Sequence, residues 1–204
     1  MPPAQAPTHR PAWMLVLAAT MLLYGGWTLV GGMLLLRDPA AMARHKIPNV
    51  PRAPAAQEAV RAFEPALDAI VARHQVGLRV DAVASIVFGL LTLYAVAAVL
   101  SRDRHGRLLA LLTAVCGIVY QLAELPLNSS IVKETSAAAG PRFAEILGLG
   151  SEAFGARSPA EQIAMLEWAI ALAAAVEVGW CLLLLIYFGG RRGRELYGLP
   201  LRRS

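Results

Sequence analysis

The most prominent feature of the chain is its alternation between long apolar runs and polar segments. The runs cover residues 13–36, 78–100, 108–127 and 163–188. About 20 helical residues, rising 1.5 Å each, cross a hydrocarbon core of roughly 30 Å, and each run is long enough to do so. The pattern therefore predicts an all-α integral membrane protein, a bundle of four transmembrane helices over residues 13–188.

The first and fourth runs carry signals that mark their ends. The first run is too long for the apolar core of a signal peptide and continues directly into Arg37, so we interpret it as a retained span. Ser158 and Pro159 form the N-cap and the first position expected at the start of a helix. Gly189 and Gly190 then predict the end of the fourth span.

The distribution of basic residues predicts the orientation of the spans. The tails 1–12 and 189–204 and the short loop 101–107 together hold nine Lys or Arg among 35 positions. The long connections 37–77 and 128–162 also hold nine, but among 76 positions and beside eight acidic residues. Because cytoplasmic loops are enriched in Lys and Arg, we expect both tails and the short loop to be cytoplasmic, and the two long connections to be extracytoplasmic.

The overall composition agrees with a membrane protein and limits its partners. Apolar residues make up 57% and charged residues 16% of the chain, whereas soluble domains have about 45–50% and about 25%. The net charge of +5 predicts anionic lipid headgroups on the cytoplasmic side as neighbours, and no nucleic acid. The high Ala and Arg content points to a bacterial source, and hence to the bacterial cytoplasmic (inner) membrane.

Each extracytoplasmic connection contains a helical pattern. Apolar residues recur at helical spacing over residues 60–71, and Pro65 either kinks one helix there or begins a second one. Pro126 predicts the end of the third span, and residues 141–149 form a short helical candidate further along. We expect these pieces either to cap the outer end of the bundle or to dock a partner or the outer leaflet.

Charged residues within the apolar runs are the main candidates for chemistry. A charge at the bilayer centre costs about 2.5–3.5 kcal/mol on insertion scales, and Glu177 lies close to the middle of the fourth run. The other polar candidates lie towards the outer ends of the spans: Glu124, Gln121, Asp81, Glu167 and Arg79. This one-sided distribution predicts an outward-opening acidic cavity centred on Glu177. The alternative is that Asp81, Arg79 and Glu167 are simply solvated at the interface.

Small residues in the spans predict close contacts between helices. Gly25, Thr28 and Gly32 share one face of the first span, and such faces let helix backbones approach each other. Gly89, Gly117 and Gly179 are candidates for the same role in the other spans. Packing within one chain and association between two copies both fit this pattern.

Motifs of the common catalytic classes are absent from the sequence. It contains no glycine-rich phosphate loop, HExxH, GxSxG or CxxC. Its two cysteines and four histidines have no metal-ligand spacing. We therefore expect no cofactor and no bound metal.

Three classes of function are compatible with these features. The long connections and the lack of motifs favour a non-catalytic subunit or scaffold component of a larger membrane assembly, with further copies or other membrane proteins as partners. An ion, proton or small-cation channel or transporter would use Glu177 as its central site, with Glu124 and Gln121 on the route. A lipid-modifying membrane enzyme would use Glu124 and Glu177 as an acid–base pair.

Overall fold

Long stretches of helix-favouring Ala and Leu determine the secondary structure. The computed structural model describes residues 12–40, 54–101, 105–140 and 159–197. Its helices are α1 (Ala12–Arg37), α2 (Pro54–Arg73), α3 (Gln75–Leu100), α4 (Gly106–Ala139), α5 (Pro159–Gly189) and α6 (Arg191–Leu196). Over the described residues there is no β-strand, so the predicted all-α class is confirmed for that part of the chain.

Four of the helices are long and apolar enough to cross a membrane: α1, α3, α4 and the Ile163–Gly189 part of α5. Each of them contains one of the four apolar runs, and the chain is accordingly compatible with a multi-pass membrane protein. Large apolar side chains on these helices stay exposed, including Leu23, Trp27 and Ile186. Such exposure is unfavourable in water and carries no comparable cost against lipid tails, which are as apolar as leucine.

The third span is longer than the sequence predicts. The prediction that Pro126 ends it is wrong, because α4 continues through this proline to Ala139. A proline within a helix removes one backbone hydrogen bond, a loss that transmembrane helices tolerate when neighbouring groups satisfy the freed carbonyl. The polar residues after position 127 therefore begin as helix. The candidate helix at residues 141–149 lies outside the described residues.

The amphipathic segment before the second span is a single helix, with Pro65 inside α2. Only His74 separates α2 from α3. The amide of His74 donates to the carbonyl of Ile70 at 3.1 Å, and the amide of Leu78 donates to the carbonyl of His74 at 2.9 Å. Backbone hydrogen bonding thus continues across the junction. Of the two alternatives predicted for Pro65, the structure shows the single helix that contains the proline, and Pro65 does not begin a second helix.

The ends of α5 follow the predicted signals. Pro159 is its first residue and Gly189 its last, while Ser158 lies outside the described residues. The side-chain Nε of Arg107 donates to the carbonyl oxygen of Phe188 at 2.6 Å. A cation at the last turn satisfies a carbonyl that has no partner within the helix and suits the helix dipole.

The described residues group into two compact units. The first consists of the described residues within 1–32, 84–121 and 176–204, and the second of those within 33–83 and 122–175. The first unit has a core from all four long helices, in which the largest fully buried side chains are Phe188, Met14, Met21, Val99 and Thr92. In the second unit, Phe63 and Leu67 of α2 are buried and pack against neighbours that include Ala139 of α4.

Candidate functional site

Two glycines allow α1 and α3 to approach closely in the first unit. A Cβ atom added at Gly89 would lie 2.8 Å from the Cβ of Leu29 and 2.9 Å from the carbonyl oxygen of Gly25. Only glycine fits at that distance. The contact brings the ring of Tyr24, next to Gly25, against the ring of Phe88, next to Gly89, edge-to-face with centroids 5.9 Å apart.

A third glycine determines how α4 and α5 meet. A Cβ atom added at Gly117 would lie 2.7 Å from the Sγ of Cys181. The two helices run antiparallel at this contact, so the next pair along the interface is one turn later on α4 and one turn earlier on α5. That pair is Gln121 and Glu177, which the Gly117 contact therefore brings together.

Three side chains from three helices form the centre of the site. The hydroxyl of Tyr24 donates to Oε2 of Glu177 at 2.7 Å. The side-chain amide of Gln121 donates to Oε2 of Glu177 and, at 3.0 Å, to the hydroxyl oxygen of Tyr24. We call Tyr24, Gln121 and Glu177 the Glu177 cluster.

The partners of Glu177 are neutral. Gln121 is buried, Tyr24 and Glu177 are half-buried, and the ion pairs observed among the described residues do not involve Glu177. The two hydrogen-bond donors take the place that water would have at this carboxyl group, which would be costly to bury without partners. Both hydrogen bonds meet Oε2, so Oε1 can take a proton without breaking either one. The cluster therefore holds the carboxyl group of Glu177 through neutral hydrogen-bond donors alone, as far as the described residues show.

An aromatic stack supports the cluster from α3 and α4. The ring of Phe88, which contacts Tyr24, also stacks on Tyr120 with centroids 5.6 Å apart. The hydroxyl of Tyr120 is in turn 2.8 Å from Oγ of the buried Ser85. Because Tyr120 precedes Gln121 in α4, this stack fixes the side of the helix from which Gln121 reaches Glu177.

Two of the predicted acidic residues have their own partners in the second unit. Glu124 accepts a hydrogen bond from Nδ2 of Asn128 at 2.7 Å, within α4. Oε1 of Glu167 lies 2.9 Å from Nζ of Lys133 and accepts a 3.3 Å hydrogen bond from Ser129. These interactions link α4 to the first turns of α5.

The remaining charged candidates lie at the start of α3, also in the second unit. Arg79 is exposed, while Asp81 is half-buried and has an interaction of its own. The structure thus brings together Gln121 and Glu177 from the predicted set. That the other members line one cavity with Glu177 stays a prediction.

The small residues predicted to lie at helix contacts differ in whether the structure places other atoms close to them. Gly25, Gly89 and Gly117 make the close contacts described above, and Gly32 is buried. The hydroxyl of Thr28 donates to the carbonyl of Tyr24 in its own helix at 2.8 Å. A Cβ atom added at Gly179 meets no described atom within 4 Å, so Gly179 is not at a helix contact within this part of the chain.

Two ion pairs of Glu134, which we call the Glu134 clasp, were not predicted from the sequence. Its Oε2 pairs with Nη1 of Arg73 at 2.8 Å and its Oε1 with Nε2 of His74 at 2.9 Å. The clasp joins the extension of α4 beyond Pro126 to the α2–α3 junction. Its partners are separated by about 60 residues, and it becomes visible only once α4 is known to extend that far.

Tyr24 is the member of the cluster that sequence reasoning missed. It lies in the centre of α1, about as far from Ala12 as from Arg37. Tyrosines of transmembrane helices are typically found at the membrane interfaces, where the hydroxyl reaches water. A tyrosine at mid-span is therefore a signal that its hydroxyl has a partner within the protein.

No protein-family model, no curated protein and no solved structure matches this chain. Within the described residues, no group of three or more His, Cys, Asp or Glu side chains is placed to hold a metal ion. A functional conclusion therefore has to rest on the geometry of the Glu177 cluster.

Proposed function

We propose that the protein takes up and releases a proton at Glu177 as part of transport across the membrane. The observation that supports this is a glutamate within an apolar span, held by the neutral donors Tyr24 and Gln121 and by no basic side chain among the described residues. Intramembrane carboxylates of this kind are characteristic of proton relays. This is the transporter class that the sequence left as an alternative.

A proton fits the cluster better than a metal cation. A hard cation requires several oxygen lone pairs directed at it. Here an O–H and an N–H bond both point at Oε2 of the carboxylate, which leaves Oε1 as the only oxygen of Glu177 that could face a cation without displacing a donor. A small monovalent cation would require Gln121 to rotate and present its carbonyl oxygen.

We propose a multi-pass location in a bacterial cytoplasmic membrane, with both termini in the cytoplasm. The support is the high density of Lys and Arg in the tails and in the loop 101–107. Anionic headgroups on that side would be the lipid partners.

A subunit role in a larger assembly is the second candidate. The most apolar window of α5 is 17% buried, against 44% for α3, and Trp168, Leu172 and Val176 of α5 stay exposed. A helix of another copy or another membrane protein would fit there, as would lipid. For a lipid-modifying enzyme, the half-buried Glu124 bound to Asn128 of its own helix offers no comparable support.

Proton flux into liposomes tests the proposed function. The purified protein is reconstituted around a pH-sensitive dye, and a potassium-diffusion potential drives protons inwards. The wild type should acidify the lumen faster than empty liposomes. Glu177→Gln should reduce that flux at least about 100-fold, the low end of the contribution of a proton-transferring side chain. The matched control Glu64→Gln makes the same change at an exposed site on α2 and should leave the flux unchanged.

Two results would contradict the proposal: no flux through the wild type, or equal flux through Glu177→Gln. The next measurement would be the native mass of the protein purified in mild detergent. A subunit of a larger assembly should run as a particle well above the 21.8 kDa of one chain. A flux that depends on Na⁺ or K⁺ in place of the pH gradient would identify a metal cation as the transported species.

A further inference from the structure

A groove between α4 and α5 lies within the second unit and shares no residue with the Glu177 cluster. Its volume is about 310 Å³, and the described residues that line it are Leu125, Pro126, Ser129, Glu167, Ile170 and Ala171. Sites for small organic ligands have volumes of about 300–1,000 Å³. Pro126 and Ala171 are exposed, so the groove opens at the surface of the two helices and has room for part of an acyl chain.

The groove changes from polar to apolar along its length. At one end the hydroxyl of Ser129 on α4 contacts Glu167 on α5. Leu125 lies one turn before Ser129, within an apolar run, and Ala171 lies one turn after Glu167. Glu167 is the fifth residue of the apolar span Ile163–Gly189, about 6 Å from its start at 1.5 Å per residue. In a bilayer crossed by this span, the polar end therefore lies near the headgroups and the apolar end beside the acyl chains.

Two opposite charges lie at the polar end of the groove. Nζ of Lys133 is 2.9 Å from Oε1 of Glu167, and Ser129 donates a 3.3 Å hydrogen bond to the same oxygen. No described residue binds Oε2 of Glu167, and the ammonium of Lys133 has no second partner among the described residues. A carboxylate oxygen accepts hydrogen bonds, and a lysine ammonium has three N–H donors. The polar end can therefore take one more donor at Glu167 and one more acceptor at Lys133.

A phospholipid with a zwitterionic headgroup is complementary to this pair of charges. Its phosphate is an acceptor for Lys133, and a primary ammonium is a charged donor for Glu167. The trimethylammonium of phosphatidylcholine has no N–H bond to donate, and the headgroup of phosphatidylglycerol has no cation. Of these three headgroups, phosphoethanolamine alone has both the anion and the N–H donor.

We propose that the groove is a binding site for phosphatidylethanolamine. The ammonium of the lipid donates to Oε2 of Glu167, its phosphate pairs with Lys133, and one acyl chain lies along Leu125, Ile170 and Ala171. The lipid joins α4 to α5 at the end of the span where α5 begins. This site does not depend on proton transport, and it requires only that the helices cross a bilayer.

Selectivity among headgroups tests the proposal. The protein purified in mild detergent is titrated with phosphatidylethanolamine, phosphatidylcholine or phosphatidylglycerol of identical acyl chains, and the first bound lipid is quantified by native mass spectrometry. The wild type should bind phosphatidylethanolamine about tenfold more tightly than the other two, the equivalent of one hydrogen bond to a charged group. Equal affinities for the three lipids would overturn the proposal.

The two charged residues should have different effects on this selectivity. Glu167→Gln should bring the affinity for phosphatidylethanolamine down to that for phosphatidylcholine. Lys133→Gln should weaken the binding of both lipids, because both have a phosphate, and should keep the preference for phosphatidylethanolamine. Glu64→Gln, at an exposed site on α2, is the matched control and should bind as the wild type does. A tenfold preference that survives in Glu167→Gln, or unchanged binding in Lys133→Gln, would contradict the proposed contacts.

A bulky side chain in the groove tests its role while both charges stay in place. Ala171→Phe should abolish the preference for phosphatidylethanolamine. Ala169→Phe adds the same ring at an exposed position of α5 that does not line the groove, and should keep the preference. A preference that persists in Ala171→Phe would place the lipid elsewhere. Free O-phosphoethanolamine should not displace the lipid, since it has no acyl chain, and displacement by it would overturn the assignment to a lipid. None of these measurements involves proton flux, so they remain decisive if the proposed function fails.

Discussion

Glu177 can lie within an apolar span because its neighbours replace water as hydrogen-bond donors. Tyr24 and Gln121 together direct an O–H and an N–H bond at one carboxylate oxygen. In a low-dielectric environment each of these hydrogen bonds is electrostatically stronger than in water, and an unpaired polar group is correspondingly costly. The three side chains therefore form one unit, and a change in one should alter the energetic effect of changing another.

Tyr24→Phe and Glu177→Gln should be coupled in a double-mutant cycle. Removing the Tyr24 hydroxyl leaves Glu177 with one donor fewer, and we expect a coupling free energy of about 1 kcal/mol, within the range of side-chain hydrogen bonds in membrane proteins. The free energy of unfolding is measured by titrating detergent-solubilised protein with a denaturing detergent. Tyr94→Phe, at a tyrosine that is 65% exposed, should show no coupling with Glu177→Gln. A Tyr24 coupling that is indistinguishable from the Tyr94 value would contradict the hydrogen-bonded pair.

At the scale of the helices, close contacts at glycine determine which faces meet. The Gly25–Gly89 contact joins α1 to α3, and the Gly117–Cys181 contact joins α4 to α5. Each contact lies one residue or one turn from a member of the Glu177 cluster. A change that separates the helices should therefore also separate the cluster.

Gly89→Ala should destabilise the fold, while Gly26→Ala should not. The new Cβ at position 89 would lie 2.8 Å from the backbone nitrogen of Leu29, and relieving that overlap requires the helices to move apart, at about 1–3 kcal/mol. At Gly26 a Cβ meets no described atom within 4 Å, and alanine gains about 1 kcal/mol of helix propensity over glycine. The denaturing-detergent titration measures both changes. A destabilisation of Gly26→Ala as large as that of Gly89→Ala would argue against the specific contact.

At the scale of the whole molecule, the proposed orientation depends on charge distribution and can be tested independently of any activity. The short loop 101–107 is basic, whereas α2 of the connection 37–77 carries acidic and basic residues together. The positive-inside rule places the former in the cytoplasm and the latter outside. The two native cysteines are unsuited to report this, since Cys116 is half-buried and Cys181 is buried.

Cysteine labelling from outside the cell should distinguish the two faces. Glu64→Cys, at an exposed position of α2, should react with a membrane-impermeant maleimide in intact cells. Ser101→Cys, at an exposed position after α3, should react only after the cells are permeabilised. The wild type serves as the blank. The reverse labelling pattern would invert the proposed topology.

The apolar pattern alone determined the four long helices. A stretch of about 20 apolar residues has essentially one way to satisfy its backbone in lipid, which is an α-helix. The helix-start and helix-stop signals at Pro159 and Gly189 were local and correct. The signal at Pro126 was also local, but the prediction from it was wrong, because the loss of one backbone hydrogen bond did not end α4.

Sequence could single out Glu177 and Gln121, since polar groups in apolar spans are costly wherever they pack. Only the tertiary structure decided that these two residues meet, and that Tyr24 joins them from 153 residues away. The face each helix turns towards its neighbours depends on a few backbone approaches, at Gly25, Gly89 and Gly117. Uniformly apolar helices have no amphipathic pattern from which those faces could be predicted.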